Sequence, residues 1–182
     1  PTSGDVITLG DAVTFAGMVT DNEDVASDIS LSWVSDIDGE FSTQGSDSSG
    51  NISFSTATLS AGLHNLTITA TDSTGLTALT SLSLRINTPP PAPAIALSPN
   101  PVSSTNTLTA TVTTPGDVDG DSITNTYAWY ENSVLTALTG STVSASDLDV
   151  GEMWTVRVTP NDGYTDGAFT EASITVSNSD PS

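Results

Sequence analysis

Short runs in which every second residue is apolar, cut by Gly, Asp and Ser turns, constrain this chain more than any other feature. Val13, Phe15, Gly17 and Val19 share one face of such a run, followed by Leu31 and Trp33, by Leu66, Ile68 and Ala70, and by Leu82, Leu84 and Ile86. The pattern returns with Leu108, Ala110 and Val112, with Tyr127 and Trp129, with Trp154, Val156 and Val158, and with Ala172, Ile174 and Val176. Successive side chains of a strand point to opposite faces, so a period of two buries one face and wets the other. Half-buried antiparallel strands follow, and no run argues for a helix. Abundant Ser and Thr and scarce Lys and Glu push the same way. The fold class is all-β.

Asn87-Thr88-Pro89-Pro90-Pro91-Ala92-Pro93-Ala94 interrupts the alternation. Consecutive prolines cannot sit in a central strand and favour extended polyproline II. Residues 1–87 and 95–182 are therefore expected as domains, with 88–94 as a Pro-rich linker. The halves repeat: Asp21 aligns with Asp117 and Trp33 with Trp129 at an offset of 96, Asp72 with Asp162 at 90, and Asn87 with Asn178 at 91. The closing Asn178-Ser179-Asp180-Pro181 echoes Asn87-Thr88-Pro89. Two halves of roughly ninety residues, with about seven strands each and a tryptophan on the third, suit tandem immunoglobulin-like sandwiches.

Charge narrows the function. Against 22 Asp and Glu stand two basic residues, Arg85 and Arg157, for a formal charge of -20. Nucleic acid and anionic membranes are excluded as partners on that ground, and cations are favoured. With no cysteine in the sequence, disulfides, thiolate chemistry and Cys-based zinc sites are out of reach. No apolar run has the length of a membrane span and no basic-then-apolar leader opens the chain, so it reads as an excised piece, or one repeat, of something longer.

The acids gather on turns. Gly116-Asp117-Val118-Asp119-Gly120-Asp121-Ser122 alternates carboxylates with small or apolar spacers, and Asn161-Asp162-Gly163-Tyr164-Thr165-Asp166-Gly167 follows about forty residues on. Close carboxylates repel by ~1 kcal/mol per pair in water and ~4 at intermediate dielectric. Calcium, which accepts about six to eight oxygens at roughly 2.3–2.6 Å in flexible geometry, relieves that repulsion. An EF-hand is ruled out, because its sixth and twelfth loop positions, counted from Asp117, hold Ser122 and Ala128 in place of Gly and a carboxylate. Asp-Gly clusters are also ordinary turn formers, since Asp bonds its own backbone and Gly supplies positive φ.

The first half carries Val13-Thr14-Phe15-Ala16-Gly17, Leu31-Ser32-Trp33-Val34-Ser35-Asp36 and Gly62-Leu63-His64-Asn65-Leu66-Thr67-Ile68-Thr69-Ala70-Thr71-Asp72. It resembles a PKD-like immunoglobulin-like repeat of microbial surface proteins, although the usual Trp-Asp-Phe-Gly-Asp-Gly turn appears as Trp33-Val34-Ser35-Asp36-Ile37-Asp38-Gly39-Glu40. The second half, with Asp117-Val118-Asp119-Gly120-Asp121, Tyr127-Ala128-Trp129-Tyr130-Glu131-Asn132 and Val158-Thr159-Pro160-Asn161-Asp162-Gly163, is similar to the calcium-binding immunoglobulin-like repeats of large bacterial adhesins. The resemblance implies an extracellular or cell-surface setting.

In a seven-stranded sandwich, the turn after the second strand and the turn before the last open at one end. Asp117, Asp119, Asp121, Asp162 and Asp166 are thus expected to converge on one Ca²⁺. Oxygens of Asn87 and Thr88 from the arriving linker are available to complete the shell, as in cadherin-like arrays. Asp21, Glu23, Asp24 and Asp72 repeat the arrangement in the first half. Asp36, Asp38 and Glu40 form a third acidic turn that either adds ligands at the joint or stays a solvated hairpin.

His64 is expected at a surface or edge, Trp33, Trp129 and Trp154 in the cores, and Tyr130 and Tyr164 exposed. Asn51-Ile52-Ser53 and Asn65-Leu66-Thr67 are sequons of the kind a Ser/Thr-rich chain produces by chance.

The expected function is a structural, calcium-rigidified segment of an extracellular adhesin, stalk or surface filament. Its partners are neighbouring immunoglobulin-like modules or copies of the same chain, with no insertion into membranes. The alternative is an accessory module that binds a glycan or protein. An enzyme is not expected: without Lys or Cys only a carboxylate mechanism is open, and acids on equivalent turns of both halves suit repeated ion binding.

Overall fold

The computed structural model describes residues 1–178, so Ser179, Asp180 and Pro181 of the closing echo lie outside the described residues. The chain divides into two compact units, Pro1–Thr88 and Pro89–Ser182.

Unit 1 holds β1 (Asp5–Thr8), β2 (Val13–Met18), β3 (Ser30–Ser35), β4 (Gly39–Ser42), β5 (Asn51–Thr56), β6 (Gly62–Thr71) and β7 (Thr77–Asn87). One sheet runs β1-β7-β6-β3-β4 and faces the pair β2-β5. All pairings are antiparallel except β1 with β7, which is parallel from Asp5↔Leu84 to Thr8↔Asn87. Alternation fixes the inner faces: Val13 and Phe15 of β2, Leu31 and Trp33 of β3, Leu66 and Ile68 of β6, and Leu84 and Ile86 of β7 form one buried cluster. Phe15 centres it, with its ring 5.5 Å from Trp33 and 5.2 Å from Phe54. Such aromatic pairs stabilise by ~0.5–1.5 kcal/mol beyond the area they bury.

Unit 2 holds β8 (Ala94–Ser98), β9 (Val102–Ser103), β10 (Leu108–Thr113), β11 (Thr124–Glu131), β12 (Val134–Leu135), β13 (Thr142–Val143), β14 (Met153–Asn161) and β15 (Thr170–Ser177). Its sheets run β12-β11-β14-β15-β9 and β13-β10-β8, with β9 parallel to β15. Trp129 and Trp154 meet edge to face at 6.3 Å in a core with Leu108, Val143, Val156 and Val158. The two units hold their first tryptophan alike. The indole N–H of Trp33 donates to the Gln44 carbonyl at 3.1 Å and that of Trp129 to the Gly140 carbonyl at 2.8 Å. Both units are immunoglobulin-like β-sandwiches, and the three tryptophans are core residues.

Two other expectations need correcting. His64 is fully buried, because β6 lies between β3 and β7 and His64 is in phase with Leu66 and Ile68. Its Nε2 faces the Ser60 carbonyl at 2.7 Å, which can only accept, so Nδ1 accepts the Ser35 hydroxyl at 2.7 Å. Tyr130 is only half exposed, because the Arg157 guanidinium covers its ring at 5.5 Å. Tyr164, by contrast, is 48% exposed.

Within the proline stretch, residues 88–93 form no strand, and Pro90 and Pro93 are buried. A Cβ at Gly167 would run into the Pro90 carbonyl oxygen, so Pro90 and the turn before β15 approach as closely as glycine permits.

Candidate metal centre

Residues 114–123 leave β10 and return as β11. Across from the first residue of β11, Thr124 pairs with Asn161, the last residue of β14. That register sets the Asp117 loop beside the turn of residues 161–167, so within unit 2 both acidic turns lie at the same end of the sandwich.

The loop is shaped by its own acid. Asp117 Oδ1 accepts the amides of Asp119 at 2.8 Å and Asp121 at 3.4 Å, an Asx-type turn closed by Gly120 at φ 79°. Asp117, Asp119 and Asp121 each offer a carboxylate oxygen, and these oxygens lie within 4.8 Å of one another. Among the described residues they are the one such group. Asp117 Oδ2 is sealed from solvent and accepts no hydrogen bond. An enclosed carboxylate oxygen without a donor, beside two more carboxylates, has the chemistry of a hard-cation ligand.

On the adjoining turn, Asp162 is buried at 4% exposure, and its Oδ1 accepts the amides of Tyr164 and Thr165 at 2.8 and 2.7 Å. Asp166 Oδ1 accepts Asn161 Nδ2 at 2.7 Å. Neither belongs to the three-carboxylate cluster.

Unit 1 repeats the layout with a different outcome. Ser30↔Thr71 sets the loop before β3 beside the turn after β6. Asp21 Oδ1 accepts the amides of Glu23 and Asp24, and Asp24 takes both the amide and the hydroxyl of Ser73, tying loop to turn. Asp72 Oδ1 accepts from Thr74 N, Thr74 Oγ1 and Leu76 N. The amides of Asp24 and Glu23 hold the Asp21 carboxyl below its ordinary range, against the charge of Asp72. For Asp72, burial pushes up, but the bonds from Leu76, Thr74 and Gly75 outweigh it and leave a lowered value. Glu23 is exposed.

The third acidic turn has separate partners. Asp36 accepts the Asn65 amide and side chain, Asp38 the Ser60 amide, and Glu40 the Ser32 hydroxyl. These acids fasten the β3–β4 hairpin to its neighbours. Asp38 Oδ2 also lies 3.8 Å from His64 Nδ1. The Ser35, His64 and Asp38 trio lacks triad geometry, because both partners share one ring nitrogen while the other faces a carbonyl, and the imidazole is sealed from solvent.

Sequence reasoning missed one further acidic group. Glu131, Asp147, Asp149 and Glu152 line an open hollow with Trp154. Glu152 accepts the Asp149 amide and the Trp154 indole, which hold its carboxyl down, while its hydrogen bond and charge push Glu131 up. Contact across β11 and β14, which places Glu131 opposite Trp154, creates this pair, and no spacing in the sequence marks it.

No family model and no characterised protein sequence matches this chain. Among solved structures, domains A168–A170 of titin align with a TM-score of 0.57 at 14% identity, over 96% of this chain and 62% of theirs. A 1.5-MDa bacterial ice-binding adhesin aligns at 0.45 and 22% identity over 96% and 62%. Fibronectin(III)-like modules of Clostridium thermocellum CbhA align at 0.40 and 15% over 98% and 92%. This chain thus spans about three fifths of the titin and adhesin structures. What the titin alignment supports is the fold: tandem immunoglobulin-like sandwiches.

Proposed function

We propose that this chain is a structural, calcium-rigidified segment of an extracellular adhesin, stalk or surface filament. Asp117, Asp119 and Asp121 are the heart of its ion site, and Asp162 and Asp166 on the adjoining turn are its further ligands. The observation that carries the reading is the enclosed, donorless Asp117 Oδ2 beside two carboxylates. Asp21, Glu23, Asp24 and Asp72 make a second, weaker site, because local hydrogen bonds already engage three of those carboxylates. Neighbouring immunoglobulin-like modules or copies of the chain are the partners of such a segment. The sealed Ser35–His64 pair gives no support to an enzymatic role.

Extracellular modules hold calcium with dissociation constants of about 10⁻⁴–10⁻³ M. A hundredfold excess over such a constant stabilises the folded state by ~2.7 kcal/mol. Calorimetric titration of calcium into chelator-treated protein is expected to give one tighter site, weakened about tenfold or more by Asp119→Asn. Sedimentation is expected to show a stiffer particle with calcium than with chelator. No heat of binding, together with unchanged melting and sedimentation, would sink the proposal.

A second reading, an accessory module for a glycan or protein, draws on one observation: Tyr164 is exposed on the acidic turn. It requires Tyr164→Ala to abolish ligand capture while leaving calcium binding intact.

A further inference from the structure

The larger sheet of unit 2 has an outer face unlike the rest of this acidic surface. On β11, β14 and β15 the residues out of phase with Trp129, Trp154 and Ile174 point away from the core. They form rows across the strands. Tyr130, Thr155 and Ser173 make one row, tied by a contact of 2.8 Å between the Thr155 and Ser173 hydroxyls, and Ala128, Arg157 and Glu171 make the next. Thr126 and Thr159 lie beyond on one side, Met153 and Thr175 on the other. Arg157 and Glu171 are the charged residues at these outward positions, and they pair with each other. A chain of formal charge -20 thus keeps this face neutral.

The Arg157 guanidinium is clamped between two rings, 5.5 Å from the centre of Tyr130 and 4.3 Å from that of Phe169, which is 53% exposed. Its Nε donates to Glu171 Oε1 at 2.9 Å, and Nη2 reaches the same oxygen at 2.8 Å. An ion pair this exposed, 39% and 41% for the two side chains, adds little to a fold. Aromatic residues, Met and Arg together with few acids are instead the composition of interface cores.

We propose that this face packs against the same face of a second copy of the chain. The charges select a copy, because Arg157 and Glu171 are neighbours on adjacent strands and each is the other's complement. A two-fold axis lying between the two sheets, parallel to the strands and midway between β14 and β15, sets each Arg157 over Glu171 of the other copy. The same axis sets each Thr155 over the other copy's Ser173. Such a contact is isologous and closes as a dimer. Elsewhere on the surface two copies would bring acid against acid. Four strands about 4.8 Å apart and four rows about 6.8 Å apart cover roughly 400–500 Å² on each copy. A total near 1,000 Å² is at the low end for a specific interface, so the pairing is weak and suits chains held side by side.

The pairing goes beyond the calcium reading and needs no bound ion, so the full chain is tested in chelator, where failure of one reading leaves the other standing. Sedimentation equilibrium is expected to give a monomer–dimer constant on the order of 10⁻⁴–10⁻³ M in concentrated sodium chloride. At low salt the unscreened net charge is expected to weaken it. Amide shifts that change with concentration are expected at Thr155, Arg157, Glu171 and Ser173. Ser173→Glu and Arg157→Glu, both checked for folding by melting, are each expected to weaken the dimer about tenfold or more. Arg157→Glu combined with Glu171→Arg exchanges the two charges and keeps the face self-complementary, so it is expected to recover most of the loss.

A chain that stays monomeric at about 2 mM in concentrated salt overturns the proposal and leaves the face to a different occupant. So does a dimer indifferent to both single variants, or a charge exchange that restores nothing.

Discussion

Asp36 shows what a single acid contributes on a surface of one sign. Its carboxylate accepts the side chain and then the backbone amide of Asn65, and these bonds hold its pKa below the ordinary carboxylate value. A lowered folded-state pKa gives stability that is present above the unfolded value, near 4, and is lost as pH falls through the folded one. Asp36→Asn is therefore expected to lower the urea midpoint of unit 1 at neutral pH. The gap to the parent should close in acid, and an equal gap at every pH would refute the account. His64 is the buried counterpart. Its phase with Leu66 and Ile68 is open to reading in the sequence, yet its place near the start of a strand, after Ala61-Gly62, argues for the surface, and the Ser35 and Ser60 partners that satisfy it come from contacts with other segments. His64→Ala leaves a cavity and two unmatched polar groups, so a loss of about 2–5 kcal/mol is expected in thermal or urea unfolding. A loss under 1 kcal/mol would mean that the network holds nothing together.

At the scale of elements, the long central strands were legible because each buries one face: the alternating sets on β3, β6, β7, β10, β11, β14 and β15 all turn toward a core. Short edge strands were not. A strand of two residues such as β9, β12 or β13 shows no period, and alternation says nothing about the parallel pairing of β1 with β7 or β9 with β15. The acidic turns were legible as turns and as facing the same end. Whether their carboxylates bond their own backbone, as at Asp21 and Asp72, or leave an oxygen unmatched, as at Asp117, depends on loop geometry that spacing does not encode. Gly167 ties an element to the site. A Cβ there meets the Pro90 carbonyl, so Gly167→Ala must shift either the prolines or the turn carrying Asp162 and Asp166. Overpacking of this kind costs about 1–3 kcal/mol. The expected result is a lower melting temperature for unit 2 with weaker calcium uptake. Unchanged melting would show that the close approach relaxes freely.

For the whole molecule, a formal charge of -20 makes self-repulsion a general burden on the folded state, and two ways of relieving it can be separated. Simple salt screens all exposed carboxylates, with a Debye length of about 10 Å at 0.1 M, and needs no particular residue. In the proposed function a bound divalent ion would act locally, above all through the oxygens of Asp117, Asp119 and Asp121. Magnesium demands near-ideal octahedral geometry and gives up its water reluctantly, whereas calcium accepts an irregular carboxylate shell. At matched ionic strength the melting temperature should therefore rise in sodium chloride, rise further with calcium, and gain less from magnesium. Asp119→Asn should keep the sodium response and lose most of the calcium increment. Equal increments from both divalent ions, or a calcium increment that survives Asp119→Asn, would place the effect in general screening and leave the loop as a turn with no resident ion.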